Sequence, residues 1–211
     1  MIPTKEEMRK ALELRQGKVL RQKFSAATIA VCGLGGLGSN IAVSLARAGI
    51  GKLILIDFDR VDVTNLHRQQ YKASQIGMYK TEALSENLKE IAPYIELEVH
   101  ALRIDENTTL ELLEDADIIC EAFDNAEAKA MLTSLVLEAF PDKFFVAASG
   151  MAGLGSANAI QTRRVSKRFY LCGDGKSDVA ESGSLVASRV MLCAAHQAHT
   201  VLRILAEQFE T

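Results

Sequence analysis

The stretch TIAVCGLGGLGSNIAVSLARAGIGKLILIDFD, Thr28 to Asp59, decides the fold. Residues 28–32 read as a strand, 36–48 as a helix and 53–57 as a second strand. Gly33, Gly35 and Gly38 form G-x-G-x-x-G at the junction of strand and helix, with Gly36, Leu37 and Ser39 completing the turn. Glycine lets the chain turn tightly and lets a phosphate approach backbone amides, and the helix N-terminus adds unpaired N–H donors. Asp57 ends the second strand, 19 positions after Gly38 (57 − 38), where a carboxylate can accept from ribose hydroxyls. The plainer alternative is that the glycines serve helix–strand packing alone. The stretch leaves open whether the nucleotide is a redox dinucleotide such as NAD, or ATP.

Outward from it, strands alternate with helices. A polar helix is expected over 4–22, with Thr4 and Glu7 as a capping box. A helix is expected over 74–91, a weak strand over 95–101 and a short helix over 107–114. ADIICEAF is a buried strand, followed by a helix over 125–139 and a strand over 144–148. Further strands are expected over 155–162 and 168–171, and a mostly apolar helix over about 184–208. Continuous apolar strands separated by helices imply an α/β, Rossmann-like, mostly parallel twisted sheet with helices on both faces. The expected organisation is a single domain over 1–211, with a helical arm at 1–24 and a mobile loop at 172–184, CGDGKSDVAESGS.

The 211 residues are 48% apolar and 24% charged, which suits an ordinary soluble globular chain. Net charge is −3 without a basic block, which argues against nucleic acid or an anionic membrane as the main partner. No signal-like segment is seen, and the apolar runs are too short to cross a bilayer. Cys32, Cys120, Cys172 and Cys193 form no CxxC pair, as expected of a reducing, cytoplasmic setting.

The second informative segment is DFDRVDVTNLHRQQY, Asp57 to Tyr71, with Lys80 beyond it. Hydride transfer needs nothing special there. Arg68 and Lys80 can instead reach a polyphosphate, arginine as a fork and lysine as a point charge, and stabilise charge on a leaving pyrophosphate. By composition alone the segment could equally be a solvated charged loop. Asp124 ends a buried strand, where ligands of open parallel sheets collect. It suits magnesium as a hard oxygen ligand, and it could also cap the next helix.

Taken in order, Gly33–Ser39, Asp57-x-Asp59, Asn65-Leu-x-Arg68-Gln69, Lys80 and Asp124-Asn125 resemble the ThiF/MoeB family, bacterial relatives of ubiquitin-activating enzymes. The likeness covers roughly 15–205. It implies an enzyme that binds ATP and magnesium and adenylates the C-terminal glycine carboxylate of a small ubiquitin-like protein, releasing pyrophosphate. It implies that Asp57 holds the ribose and that Asp59, Asn65, Arg68, Gln69 and Lys80 surround the phosphates. It implies that Asp124 binds magnesium and that an N-terminal arginine reaches the partner subunit's ATP in a homodimer. Arg15 is favoured for that role, and Arg21 repeats the Arg-Gln dipeptide.

Without two CxxC pairs, no structural zinc is expected. The short, zinc-free form resembles ThiF-type chains, so a ThiS-like sulfur carrier of thiamine biosynthesis is the expected acceptor. In a chain of this length no rhodanese, ubiquitin-fold or catalytic-cysteine domain is expected. Three alternatives remain: a tRNA threonylcarbamoyladenosine dehydratase of the same superfamily, an NAD-dependent oxidoreductase, and a non-catalytic nucleotide-binding scaffold. Cys172 could receive the activated glycine or sulfur. Cys193 reads as core, and His196 and His199 as helix packing.

Overall fold

A computed structural model describes residues 2–211, with the backbone alone at Asn107. Seven strands form one sheet: β1 Thr28–Cys32, β2 Lys52–Ile56, β3 Glu96–His100, β4 Ile118–Glu121, β5 Phe144–Ala148, β6 Gln161–Arg164 and β7 Phe169–Gly173. Their order is β3-β2-β1-β4-β5-β7-β6. All neighbours are parallel except β6, which pairs antiparallel with β7.

Alternation along each strand fills two cores. Ile29, Val31, Leu53 and Leu55 face one layer, with helices α2 Lys18–Ala26, α3 Gly36–Ala48, α4 Lys80–Ile91 and α8 Ala187–Leu205. Ala30, Cys32, Ile54 and Ile56 face the other, with α5 Glu106–Leu113 and α6 Ala126–Ala139. Helices on both faces explain why β1, β2 and β4 are apolar runs rather than alternating ones. The chain runs outward from β1 to β3, then returns to place β4 on the other side of β1. That reversal opens a crevice at the carboxyl ends of β1 and β4.

Several element boundaries depart from the sequence expectation. The helix expected over 4–22 is two, α1 Lys5–Gln16 and α2, because Gly17 takes φ +83° between them. Thr4 and Glu7 do form the capping box. Of 74–91 only Lys80–Ile91 is α-helix. Gly77 at φ +90° donates its amide to the Val61 carbonyl and turns the chain back first. The strand expected over 155–162 is a short 3-10 turn at Ala157–Ala159 followed by β6. Strand β7 runs on to Gly173, so Cys172 lies inside it and not at the mouth of a loop. Beyond it the chain turns through residues 174–178 into a one-turn helix, α7 Val179–Ser182. The cap of α6 is Asn125, whose Oδ1 accepts the Ala128 amide at 2.9 Å; Asp124 does not cap it.

All four cysteines are free and buried. Burial pushes the Cys120 and Cys172 thiols up, and Cys193 up to about 12. Cys172 is surrounded by the hydroxyls of Thr162 and Thr200, 3.6 and 3.9 Å from its Sγ. It is therefore built as core, not as a nucleophile. An aromatic disulfide reagent at pH about 8 is expected to leave the native thiols unmodified and to titrate them after denaturation. Rapid reaction of Cys172 in the folded protein would contradict this placement.

Candidate functional site

The glycine turn sits at the crevice between β1 and β4. Gly33 has φ +90°, and its amide bonds the Ile56 carbonyl at 2.8 Å. A Cβ on Gly38 would lie 1.8 Å from the Gly33 carbonyl oxygen, so only glycine lets α3 start this close to β1. Gly35 is the N-cap of α3, and no described side chain caps that helix. Its first amides therefore remain an anion-binding end.

Leu34, fully buried, is held at both polar atoms. Its amide donates to Asp57 Oδ2 at 2.6 Å, and its carbonyl accepts the Tyr71 hydroxyl at 2.7 Å. Asp57 also takes the Asp59 amide on Oδ1 at 2.7 Å. Burial raises the Asp57 carboxyl, while Lys80 and the two amides pull the other way. Asp57 thus fixes the glycine turn as well as standing where the sequence places a ribose contact.

The segment 59–80 closes on itself. The Lys80 amide bonds the Asp59 carbonyl at 2.9 Å, and Lys80 Nζ meets Asp59 Oδ2 at 2.7 Å. Lys80 is nearly buried, whereas Asp59 is half-exposed. Asn65 Oδ1 caps the turn Val63–Asn65 through the Asp62 amide at 3.0 Å. This turn is stitched to α3. Asn40 Nδ2 donates to the Arg68 carbonyl at 3.1 Å, Gln70 Nε2 donates to Asn40 Oδ1 at 2.7 Å, and the Gln70 amide donates to Ser39 Oγ at 3.1 Å. Arg68 is left beside Gly36, with one donor on the Thr64 carbonyl at 3.1 Å. Burial lowers its guanidinium, and the charge of Asp124 across the crevice opposes that. Gln69 is buried with Nε2 facing Gly35, and its Oε1 has no partner among the described residues.

The structure therefore gathers the glycine turn, Asp57, Asp59, Arg68, Gln69, Lys80 and Asp124 at one end of the sheet, with Asn65 shaping the turn that presents Arg68. Arg15 stands apart. It is exposed on α1, whose Gln16 bonds the Ala48 carbonyl at the opposite end of α3 at 3.1 Å. A 13-residue helix separates it from the glycine turn, about 20 Å.

A family model described as the ThiF family matches residues 9–211. The chain belongs to the ThiF family. Its seven-stranded, mostly parallel α/β sheet is the Rossmann-like fold of solved relatives. The Escherichia coli tRNA N6-threonylcarbamoyladenosine dehydratase TcdA in complex with ATP superposes with a TM-score of 0.86 at 21% identity. That match covers 99% of this chain and 98% of that one. E. coli MccB with MccA-N7isoASN gives 0.70 at 22% identity, covering 90% and 60%. By sequence, the Caenorhabditis briggsae adenylyltransferase and sulfurtransferase MOCS3 is 33% identical over 116 residues, 54% of this chain and 29% of that protein. Ubiquitin-like modifier-activating enzyme 5 of Caenorhabditis elegans is 42% identical over 83 residues, 39% and 20% of the two chains. The chain spans about a third or less of the length of these curated relatives.

Within this ThiF-family site, Tyr71, Asn40 and Gln70 were not expected from the sequence. An aromatic closing the polar run at position 71 is the one visible signal. Glu121 and Lys129 were also missed. Lys129 Nζ bonds both Glu121 oxygens at 2.9 Å and the Ala148 carbonyl at 3.0 Å, tying β4 to β5 beneath Asp124. Among the described residues no three His, Cys, Asp or Glu converge on a metal position. Asp124 is exposed and offers a single carboxylate, so a magnesium ion there would take its other oxygens from phosphates and water. No described helix is long and apolar enough to cross a membrane. His196 and His199 line an open groove of about 740 Å³ between α8 and β6–β7, away from the crevice. His196 Nδ1 lies 3.0 Å from Thr162 Oγ1.

A second buried cluster lies beside the crevice. Arg189, on the first turn of α8, pairs with Asp174 at 2.6 Å. Burial raises the Asp174 carboxyl, but the amides of Ser177 and Lys176, the Ser177 hydroxyl and Arg189 outweigh it and hold the group at about 2. A lowered native value means stability that is complete above about pH 4 and fades as pH falls toward about 2. Asp174→Asn should flatten that acid limb in urea titrations over this range. An unchanged pH slope would argue against the pairing.

Proposed function

We propose that the protein adenylates a carboxylate with ATP. The observation that carries this reading is the convergence of an uncapped helix N-terminus with Arg68, Lys80 and Asp124 around one crevice. A carboxylate oxygen attacks the α-phosphorus, the bond to the bridging oxygen breaks, and pyrophosphate leaves with its electron pair. The product is an acyl-adenylate, and no proton transfer or protein nucleophile is needed. Arg68 and Lys80 offset repulsion between the anions and stabilise the leaving pyrophosphate. Lys80 is held by Asp59 until a phosphate competes for it. Gln69 carries an unpartnered acceptor beside Gly35 that suits a ribose hydroxyl or bound water. Magnesium, when bound, would neutralise phosphate charge from Asp124. Arg15 would serve a second copy's site, since it is too far from its own.

Two acceptors have support. The whole-length fold likeness to TcdA favours a carboxylate carried on tRNA. So does a basic block that the net charge of −3 conceals, contrary to the sequence expectation: Arg163 and Arg164 at the end of β6, with Lys167 and Arg168 in the turn to β7, fall within six residues, three of them exposed. The sequence likeness to MOCS3 and to ubiquitin-like modifier-activating enzyme 5 favours a ubiquitin-like protein as acceptor; the terminal glycine of a ThiS-like carrier in thiamine biosynthesis rests on the motif resemblance alone. Pyrophosphate release and ATP–pyrophosphate exchange, run with a Gly-Gly-ending carrier and with threonylcarbamoyladenosine-bearing tRNA, separate them. Exchange with neither, in protein that binds ATP, would sink the adenylation reading.

A further inference from the structure

The nucleotide half of the sheet is β2–β1–β4, where Asp57, the glycine turn and Asp124 stand. The other half, β5–β7–β6, ends on the same side in two loops, 149–160 and 174–178, that hold none of those residues. An acceptor carboxylate must reach the α-phosphorus from the side opposite the pyrophosphate. These loops occupy the open end of β5 and β7 next to Asp124. They are zipped together: the Asp174 amide bonds the Gly150 carbonyl at 2.9 Å, the Gly175 amide the Ser149 carbonyl at 2.9 Å, and the Ala152 amide Ser177 Oγ at 3.0 Å.

One buried side chain holds both. Arg189, 6% exposed, donates Nε to the Ala152 carbonyl at 3.1 Å and NH1 to the carbonyls of Gly155 and Ser156 at 2.6 and 2.8 Å. Its NH2 donates to Asp174 Oδ2 at 2.6 Å. Asp174 Oδ1 in turn takes the amides of Lys176 and Ser177 at 2.9 and 2.8 Å. The neighbouring Val190 touches the nucleotide loop, its Cγ1 2.9 Å from where a Cβ on Gly36 would be. The first turn of α8 thus contacts both halves of the site. A planar guanidinium can span three carbonyls and a carboxylate; an ammonium cannot. Apart from Met151 and Leu154, residues 149–156 are all Gly, Ala or Ser, and Leu154 is 84% exposed, so the wall offers backbone to a narrow incoming group.

Resting on the adenylation reading, we propose that Arg189 is a positioning residue for the acceptor: it preforms the wall made by loops 149–156 and 174–177, while ATP binds without it. A general structural role would lower ATP affinity, acceptor affinity and turnover together. The test uses the full chain with Arg189→Lys and, as a milder break of the same clamp, Asp174→Asn. ATP affinity is measured by calorimetry and loop amides by hydrogen exchange. Acceptor KM is measured by pyrophosphate release, using whichever of the Gly-Gly carrier and the modified tRNA supports exchange in the wild type. Both variants are expected to raise acceptor KM, Arg189→Lys at least tenfold, with ATP affinity within twofold and faster exchange confined to the two loops. Acceptor KM within twofold of wild type in both variants overturns the inference, as does ATP affinity falling in step with it. If the wild type is inactive with both acceptors, the adenylation reading fails and the inference falls with it. If the wild type is active and the variants match it, the inference alone falls.

Discussion

Alanine at Arg68 is expected to cut pyrophosphate release about 10²–10³-fold, the usual effect of removing one preorganised charge-stabilising donor. The protein should fold normally. Among the described residues Arg68 donates to the Thr64 carbonyl and lies 3.3 Å from His67 Nε2, both on its own exposed turn, and makes no bond in the core. Losing such a bond costs about 1 kcal/mol, or about 2–4 °C in melting temperature for a chain of this size. Asp124→Ala should match it in rate with still less effect on melting, because Asp124 is exposed and does not cap α6. The double variant should fall well short of the product of the two losses, since the two groups act on the same phosphates and on each other. Lys80→Ala should differ in kind. Its side chain is nearly buried against Asp59 and the carboxyl of Asp57, so removing it should depress melting as well as rate. Pyrophosphate release and thermal melts on the same four preparations decide the matter. Full activity in Arg68→Ala would remove the polyphosphate role assigned to this turn.

Much of this site is legible because its contacts are local or fixed by the strand–turn–helix unit. Gly33 to Ser39 and Asp57 follow from two strands and the helix between them, and Arg68, Gln69 and Lys80 lie on one short closed segment. The rest depends on pairings that sequence spacing does not encode. Tyr71 reaches Leu34 across 37 residues, Arg189 reaches Asp174 across 15 and Ala152 across 37. Arg189 sits on an apolar helix face and so reads as ordinary packing. Cys172 reads as a loop residue because glycines follow it, yet β7 continues to Gly173 and the thiol closes into the core. The break at Gly17 escapes the sequence because the polar pattern is helical on both sides of it, and only its backbone angle marks the joint.

Two glycines of the same motif should both lose ATP affinity, but only one of them should lose stability to match. A methyl group on Gly38 would meet the Gly33 carbonyl oxygen at 1.8 Å, and the obstacle is backbone, not a side chain that can swing aside. Either α3 must move off β1 or Gly33 must move off its bond to Ile56. Overpacking of this sort costs about 1–3 kcal/mol or more, which corresponds to a fall of roughly 2–12 °C in melting temperature. ATP binding should go with it, because the turn and the helix start are displaced together. A methyl group on Gly35 meets only Gln69 Nε2, at 3.8 Å, and the residue has φ −72°. Gly35→Ala, whose ψ is −146°, should therefore melt closer to wild type than Gly38→Ala. It should still lose ATP affinity, at least tenfold, because its methyl stands at the uncapped end of α3 where a phosphate would approach. Melting curves and calorimetric ATP titrations on both variants form the comparison. A wild-type melt for Gly38→Ala would show that the close approach is not what holds α3 to β1. Wild-type ATP affinity in Gly35→Ala would place the phosphates somewhere other than this helix end.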